Sequence, residues 1–376
     1  MSTDQGVSFS STPLVTFLSP AVDNGDPRQR VLGDYQQLKA IDNCFYGGFV
    51  ANRAAFFGSL AISDPVFVKA CYGQSASTHD TSGDGFSDIL WRNTTTGQVL
   101  GWFLNGSTVI GGGSPGSATN DWAIVGQRDF NGDGFSDILW RNKTNGQVMV
   151  WLTQGATVIG TASLGSMTSD WVIVGTGDFN GDGFADILWY NANAGPQIVV
   201  WLTNGTSVTG VGSRFAPGSP WTVAGTGDFN GDGMTDILWY NTSSGEVLIW
   251  LMDVASVIGS GVPGSVTTDW VIVGTGDFNG DGMSDILWRN ATTGQLVIWL
   301  INGSTVIGGG SPGSAASDWA VEQTGDYNGD RTSDILWRNT TTGQVLIWFI
   351  NGTLTSGGGS PGSATIDWQI QVMNAD

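Results

Sequence analysis

"DFNGDGFSD", residues 129–137, packs three aspartates and an asparagine around two glycines, and "ILW" follows at once. Close copies begin at Asp80, Asp129, Asp178, Asp228, Asp277 and Asp326, in steps of 49, 49, 50, 49 and 49 residues. Repetition at a fixed period of this length marks a chain built from one supersecondary unit. Within a unit, "DWVIVGTG" precedes the acidic turn and "DILWRN" follows it, then "GQVMVWLT" and "ATVIGTA". Asn, Gly, Ser and Thr occupy the joins, as hairpins require, and no helical period intervenes.

Four strands per unit, repeated, describe the blades of a β-propeller, so the spacing predicts an all-β fold. The third strand is apolar on both faces, with Val148, Val150 and Leu152 on one and Met149 and Trp151 on the other. Stacked blades cover both. "DW" or "PW" strands start at Trp122, Trp171, Trp221, Trp270, Trp319 and Trp368, which predicts six blades. The strand at Trp368 has no acidic turn after it, and Asp80 has no good partner strand before it. The expected repair is ring closure, which removes free sheet edges.

Counted from its first Asp, the turn offers oxygen at alternate positions. The first loop presents Asp80, Ser82, Asp84 and Asp88, with the backbone carbonyl of Phe86. The next presents Asp129, Asn131, Asp133 and Asp137, with Phe135; then come Asp178, Asn180, Asp182 and Asp186, with Phe184. Asp228, Asn230, Asp232 and Asp236 follow with Met234, and Asp277, Asn279, Asp281 and Asp285 with Met283. The sixth holds Asp326, Asn328, Asp330 and Asp334. A cage of hard oxygens suits Ca²⁺, and no His or Cys softens it. An Asx turn explains one Asp and one Gly, but three carboxylates in nine residues repel one another unless compensated. Five or six calcium ions are therefore expected. Arg331 stands where the other loops have Gly, at a position expected to need a left-handed backbone, so the Asp326 site should be weakest or empty.

These "DxNGDGxxDILW" copies resemble the calcium-binding FG-GAP/VCBS-type repeats of integrin-like propellers, over about four-fifths of the chain. The literal Phe-Gly and Gly-Ala-Pro signatures are absent. The resemblance implies extracellular adhesion, carbohydrate binding or protein interaction, without catalysis; such propellers often have seven blades.

The net charge of −20 argues against nucleic acid and anionic membranes as partners, and no apolar run is long enough to span a bilayer. His79 is the only histidine, which leaves little for a Ser-His or metal-His catalytic site. The calcium loops favour an extracellular or cell-surface setting, whereas the first residues do not read as a standard signal peptide. Cys44 and Cys71 are the only cysteines, read either as a pair or as free thiols.

Residues 1–79 form a non-repeat docking segment and residues 80–376 the propeller. Leu38, Ile41 and Phe45 suggest one helix, and "FVANRAAFFGSL" another. The leading function is non-catalytic recognition of a glycan or a protein surface. The alternative is a structural subunit anchored in a larger assembly by residues 1–79. Three tryptophans per unit at fixed offsets read as blade packing before sugar stacking. The residue after "DILW" varies between Arg and Tyr (Arg92, Arg141, Tyr190, Tyr240, Arg289, Arg338) and reads as a ligand-contact candidate or a strand cap.

Overall fold

The computed structural model describes residues 38–41, 44–52, 63–71, 78–193 and 195–371. The chain divides into two compact units, Met1–Ser75 and Ala76–Asp376. In the first, β1 (Leu38–Ile41), β2 (Cys44–Asn52) and β3 (Ser63–Cys71) form an antiparallel sheet in the order β1-β2-β3. Strands thus replace the helix expected through Leu38, Ile41 and Phe45 and the start of the second one. The runs are short and rich in Phe, Tyr and Val, which favour extended chain, and a helical spacing over so few residues is ambiguous. The rest of the second expected helix, residues 53–60, lies outside the described residues. The β2–β3 register sets Cys44 opposite Cys71 along the backbone.

The second unit is an all-β propeller of six four-stranded antiparallel sheets. Blade 1 shows the pattern. The closing blade contributes β4 (Ile89–Asn93), β5 (Gln98–Asn105) and β6 (Thr108–Ser117) before it; blade 1 then runs through β7 (Trp122–Arg128), β8 (Asp137–Asn142), β9 (Gln147–Gln154) and β10 (Thr157–Ser166). Blades 2 to 5 follow over residues 172–215, 221–265, 270–314 and 319–363. The last strand, Trp368–Ile370, pairs with β4 in the register Trp368↔Asn93, Gln369↔Arg92 and Ile370↔Trp91. Ring closure is therefore six-bladed, as the offset of the repeats predicts. It also has a feature the repeat count did not show. The Gln371 N–H donates to the Leu90 carbonyl at 2.8 Å, and the Asp88 N–H donates to the His79 carbonyl at 2.9 Å. The innermost edge of the closing blade is thus laid down from both sides of the repeat array.

Inner strands crowd one another. At Gly175 an added Cβ would meet Cγ2 of Thr226 in the next blade at 2.6 Å, so glycine is needed there for close approach. Thr275 and Thr324 extend the contact by donating their hydroxyls to the carbonyls of Thr226 and Thr275, at 2.8 and 2.6 Å.

The core lies between blades. Trp91, Trp140, Trp189, Trp239, Trp288 and Trp337, one per blade, are each fully buried. Each packs on the third-strand tryptophan of its own blade, as Trp140 does on Trp151 at 4.8 Å between centroids. Leu139, Val148 and Val150 of blade 1 meet Ile187, Trp189 and Trp201 of blade 2 in one cluster. Burying a side chain of this size contributes roughly 1.5–3 kcal/mol, so the stacked faces dominate stability. Seven of the 18 tryptophans are buried and the other eleven half-buried.

Candidate metal-binding loops

Each acidic turn joins the inner strand of a blade to the second strand, and its first aspartate works on its own backbone. Asp129 accepts the N–H of Gly132 at 2.6 Å and of Asp133 at 3.2 Å on Oδ1, and of Gly134 at 2.8 Å on Oδ2. Asp178 and Asp228 do the same. Glycine serves these turns because position 6 is left-handed, with φ from 84° to 92° in five loops. Arg331 holds that conformation at φ 71°.

Positions 3 and 5 meet at the rim. In five loops the Asn amide donates to the Asp carboxylate, with Nδ2 to Oδ2 distances of 3.1, 2.9, 2.8, 2.9 and 3.0 Å from Asn131, Asn180, Asn230, Asn279 and Asn328. The position-5 aspartates Asp84, Asp133, Asp182, Asp232, Asp281 and Asp330 are all exposed. In the first loop Ser82 instead donates its hydroxyl to Asp80 at 3.4 Å.

Position 9 does not join them through an open carboxylate edge. Asp137 is fully buried and accepts the N–H of Phe130 at 3.0 Å on Oδ2 and that of Thr153 at 2.7 Å on Oδ1. The same two bonds recur at Asp186, Asp236, Asp285 and Asp334. Asp88 accepts from Thr81, Ser82 and Leu104. Burial pushes the carboxyls of Asp88, Asp186, Asp236 and Asp285 up to about 7, and those of Asp137 and Asp334 up to about 8. Their backbone donors oppose the rise, and the charges at positions 1 and 5 add to it. Burial likewise raises Asp80 to about 6 and lifts Asp129, Asp178, Asp228, Asp277 and Asp326 above the usual carboxylate range.

Among the described residues, no group of three or more His, Cys, Asp or Glu side chains is drawn together as a metal centre. What five of the loops offer is two carboxylates, at positions 1 and 5, and an amide at position 3 bonded to the second; the first loop has the Ser82 hydroxyl instead. Those donors fit a hard divalent cation: Oδ2 of position 1 accepts a single backbone N–H and keeps a second lone pair, and rotating the Asn amide presents its oxygen. Phe86, Phe135, Phe184, Met234 and Met283, expected to lend carbonyls, donate their N–H groups to position 5 at 2.8–3.0 Å.

Their side chains do something the repeat pattern did not announce. An added Cβ at Gly83 would meet Phe135 at 2.4 Å; Gly132 faces Phe184 at 3.1 Å, Gly181 faces Met234 and Gly231 faces Met283, both at 3.4 Å. Gly280 faces Thr332 at 3.5 Å, and Gly329 faces Phe86 at 2.6 Å. Position 7 of every loop therefore rests on position 4 of the loop before it, all the way round. Beside each contact, the N–H of position 8 donates to the carbonyl of position 1 of the preceding loop. These bonds, from Ser136 to Asp80, Ala185 to Asp129, Thr235 to Asp178, Ser284 to Asp228, Ser333 to Asp277 and Ser87 to Asp326, measure 2.6–2.9 Å. The six loops form one closed ring on one face.

Residues 129–189, 228–288 and 277–337 match the FG-GAP-like repeat family, and residues 171–210 match the FG-GAP repeat. The chain is an FG-GAP-repeat β-propeller. No match emerges among curated proteins. Similar solved structures include the Tc holotoxin pore of Photorhabdus luminescens, at 13% identity and TM-score 0.42, over 86% of this chain and 16% of that one. Prolyl oligopeptidase B of Galerina marginata is similar at 10% identity and TM-score 0.41, over 90% and 52%. A quinoprotein alcohol dehydrogenase-like protein of Bacteroides thetaiotaomicron follows at 8% and 0.40, over 88% and 85%. This FG-GAP propeller thus spans about one-sixth and one-half of the first two chains, and scores below 0.5 support no inference about activity.

The Arg/Tyr position of the FG-GAP propeller is spent between blades. The guanidinium of Arg92 lies 5.0 Å from the Trp140 ring centroid, Arg141 4.9 Å from Trp189, Arg289 5.3 Å from Trp337 and Arg338 5.0 Å from Trp91. Tyr190 and Tyr240 take the same place against Trp239 and Trp288 at 5.7 and 5.8 Å. The arginines also donate to connector carbonyls, Arg92 to Thr119 and Arg141 to Thr168, both at 3.0 Å. These residues are staples across the seam. No helix among the described residues is long and apolar enough to cross a membrane.

Proposed function

We propose that the protein is a non-catalytic binding propeller that takes up calcium on its ring of acidic loops and presents that face to a protein partner. The observation that carries this reading is the Asn–Asp pair of positions 3 and 5 at the rim, beside a half-buried position-1 carboxylate, repeated in five loops around one face. Asp129, Asn131 and Asp133 exemplify the donor set, and the corresponding trios in the other loops serve the same role. Calcium bound there would supply positive charge to a rim of clustered carboxylates. The chain's own part is to hold the rim carboxylates in place through backbone N–H bonds and to keep position 9 as a buried brace.

A protein partner is favoured over a glycan because the third-strand tryptophans are held against the buried tryptophans of their own blades. The Asp326 loop is the weakest site. The Thr332 hydroxyl and N–H both donate to Oδ1 of Asp330, at 2.5 and 2.9 Å, and Arg331 brings a positive charge alongside. Equilibrium dialysis of the full chain against calcium tests the uptake: five or six ions per chain are expected, and none would refute it. A glycan array run with calcium tests the partner class. Silence is expected, and strong calcium-dependent signals would restore the glycan reading.

A further inference from the structure

We infer that the six acidic loops take up cations as a coupled ring and not as six independent sites; this rests on the cation reading proposed above.

The coupling runs through residues that belong to two loops at once. Asp133 accepts the N–H of Phe135 at 3.0 Å, and the Phe135 side chain rests on Gly83 of the preceding loop. Gly83 lies between Ser82 and Asp84, which are positions 3 and 5 of that loop. Any movement of the Asp133 carboxylate toward a cation therefore pulls on the residue that props the neighbouring donors. The second link is the carbonyl of Asp80, which accepts the Ser136 N–H at 2.6 Å while the Asp80 carboxylate serves its own loop. A third ties five of the six loops to the following blade: the Thr81 carbonyl accepts from Gly155 at 2.9 Å, and those of Phe179, Phe229, Phe278 and Tyr327 accept from Val254, Gly303, Gly352 and Gly106 at 2.7–2.9 Å.

Ordering one loop thus lowers the ordering cost left for its neighbours, which gives positive cooperativity. The ring is uneven. Phe or Met covers the preceding glycine at five junctions, but at Gly280 the cover is the small Thr332. Coupling is weakest at that junction.

The test is a calcium titration of the full chain by calorimetry, with near-ultraviolet circular dichroism recorded in chelator to establish folding. The wild-type isotherm should have a Hill coefficient above 1. Phe135→Thr, which copies the small residue the chain itself uses at Thr332, should flatten it and shift the midpoint about fivefold, the low end of site-to-site coupling. Phe135→Met, the cover used at Met234 and Met283, should keep the wild-type shape. A Hill coefficient of 1, or a curve unmoved by Phe135→Thr, overturns the coupling while leaving cation uptake intact. Absence of any binding heat or stability shift overturns the uptake itself, and the coupling with it.

Discussion

Phe86, in the first acidic loop, rests on Gly329 in the last: a methyl group at Gly329 would come within 2.6 Å of Cε1 of Phe86. The contact joins residues 243 positions apart (329 − 86) and closes the loop ring at the seam where the chain's repeats begin and end. Gly329→Ala should destabilise the propeller by about 2–4 kcal/mol, adding a clash to the strain of its positive φ of 76°. Gly134→Ala is the control. Its φ is 89° but nothing lies within 4 Å, so only the backbone strain of about 1–2 kcal/mol should appear. Urea melts of both variants check the difference, and equal losses would remove the contact from the account.

Arg331 sits in a left-handed conformation that its five counterparts reach as glycine. Arg331→Gly should raise stability by about 1 kcal/mol, measured as a shift in the urea midpoint at constant slope. A loss of stability would show that the guanidinium contributes more than its backbone strain costs.

The Arg/Tyr staples make a comparative prediction. Arg141→Ala removes a cation–π contact and a bond to the Thr168 carbonyl, at a cost of about 1–3 kcal/mol. Arg141→Tyr should cost less, because Tyr190 and Tyr240 already occupy the equivalent place against Trp239 and Trp288. Thermal melts of the two variants, side by side, decide it.

Asp121, Asp170 and Asp269 start the inner-strand motif and are exposed, each bonded to a Thr hydroxyl and an Asn amide. Those hydrogen bonds hold all three carboxyls below their usual range. A carboxyl depressed by folding stabilises above its unfolded value, about 3.9, and that contribution is lost as pH falls through the folded one. Asp170→Asn should therefore be less stable than the parent at pH 6, with the gap closing as pH falls below the unfolded value and through the depressed folded one. A gap that persists unchanged at pH 2 would mean that the charge is not what matters.

Much of this architecture is legible in the repeat itself. The spacing of Asp80, Asp129 and their successors yields the blades, and the unpaired strand at Trp368 yields the closure. The apolar faces of Val148 and Trp151 require stacked sheets, and Arg331 marks a left-handed backbone. What the repeat hides is whatever joins one copy to the next. Phe135 on Gly83, Ser136 on Asp80 and Arg92 on Trp140 each link residues about one repeat apart, and no local pattern distinguishes such a residue from one facing solvent. The acidic turn is ambiguous for a related reason. Asp137 bracing the Phe130 and Thr153 amides and Asp137 ligating a cation call for the same residue at the same place. At Phe45 and Val50 the apolar runs were too short to separate strand from helix.

The central claim is that cations on the acidic ring stabilise the propeller. It is tested most directly by the melting temperature of the full chain in millimolar calcium and again in excess chelator. At a free concentration about ten times Kd, each occupied site adds roughly 1.4 kcal/mol, so five or six sites should raise the midpoint by many degrees. The account predicts that large, reversible rise; an identical midpoint in calcium and in chelator would contradict it.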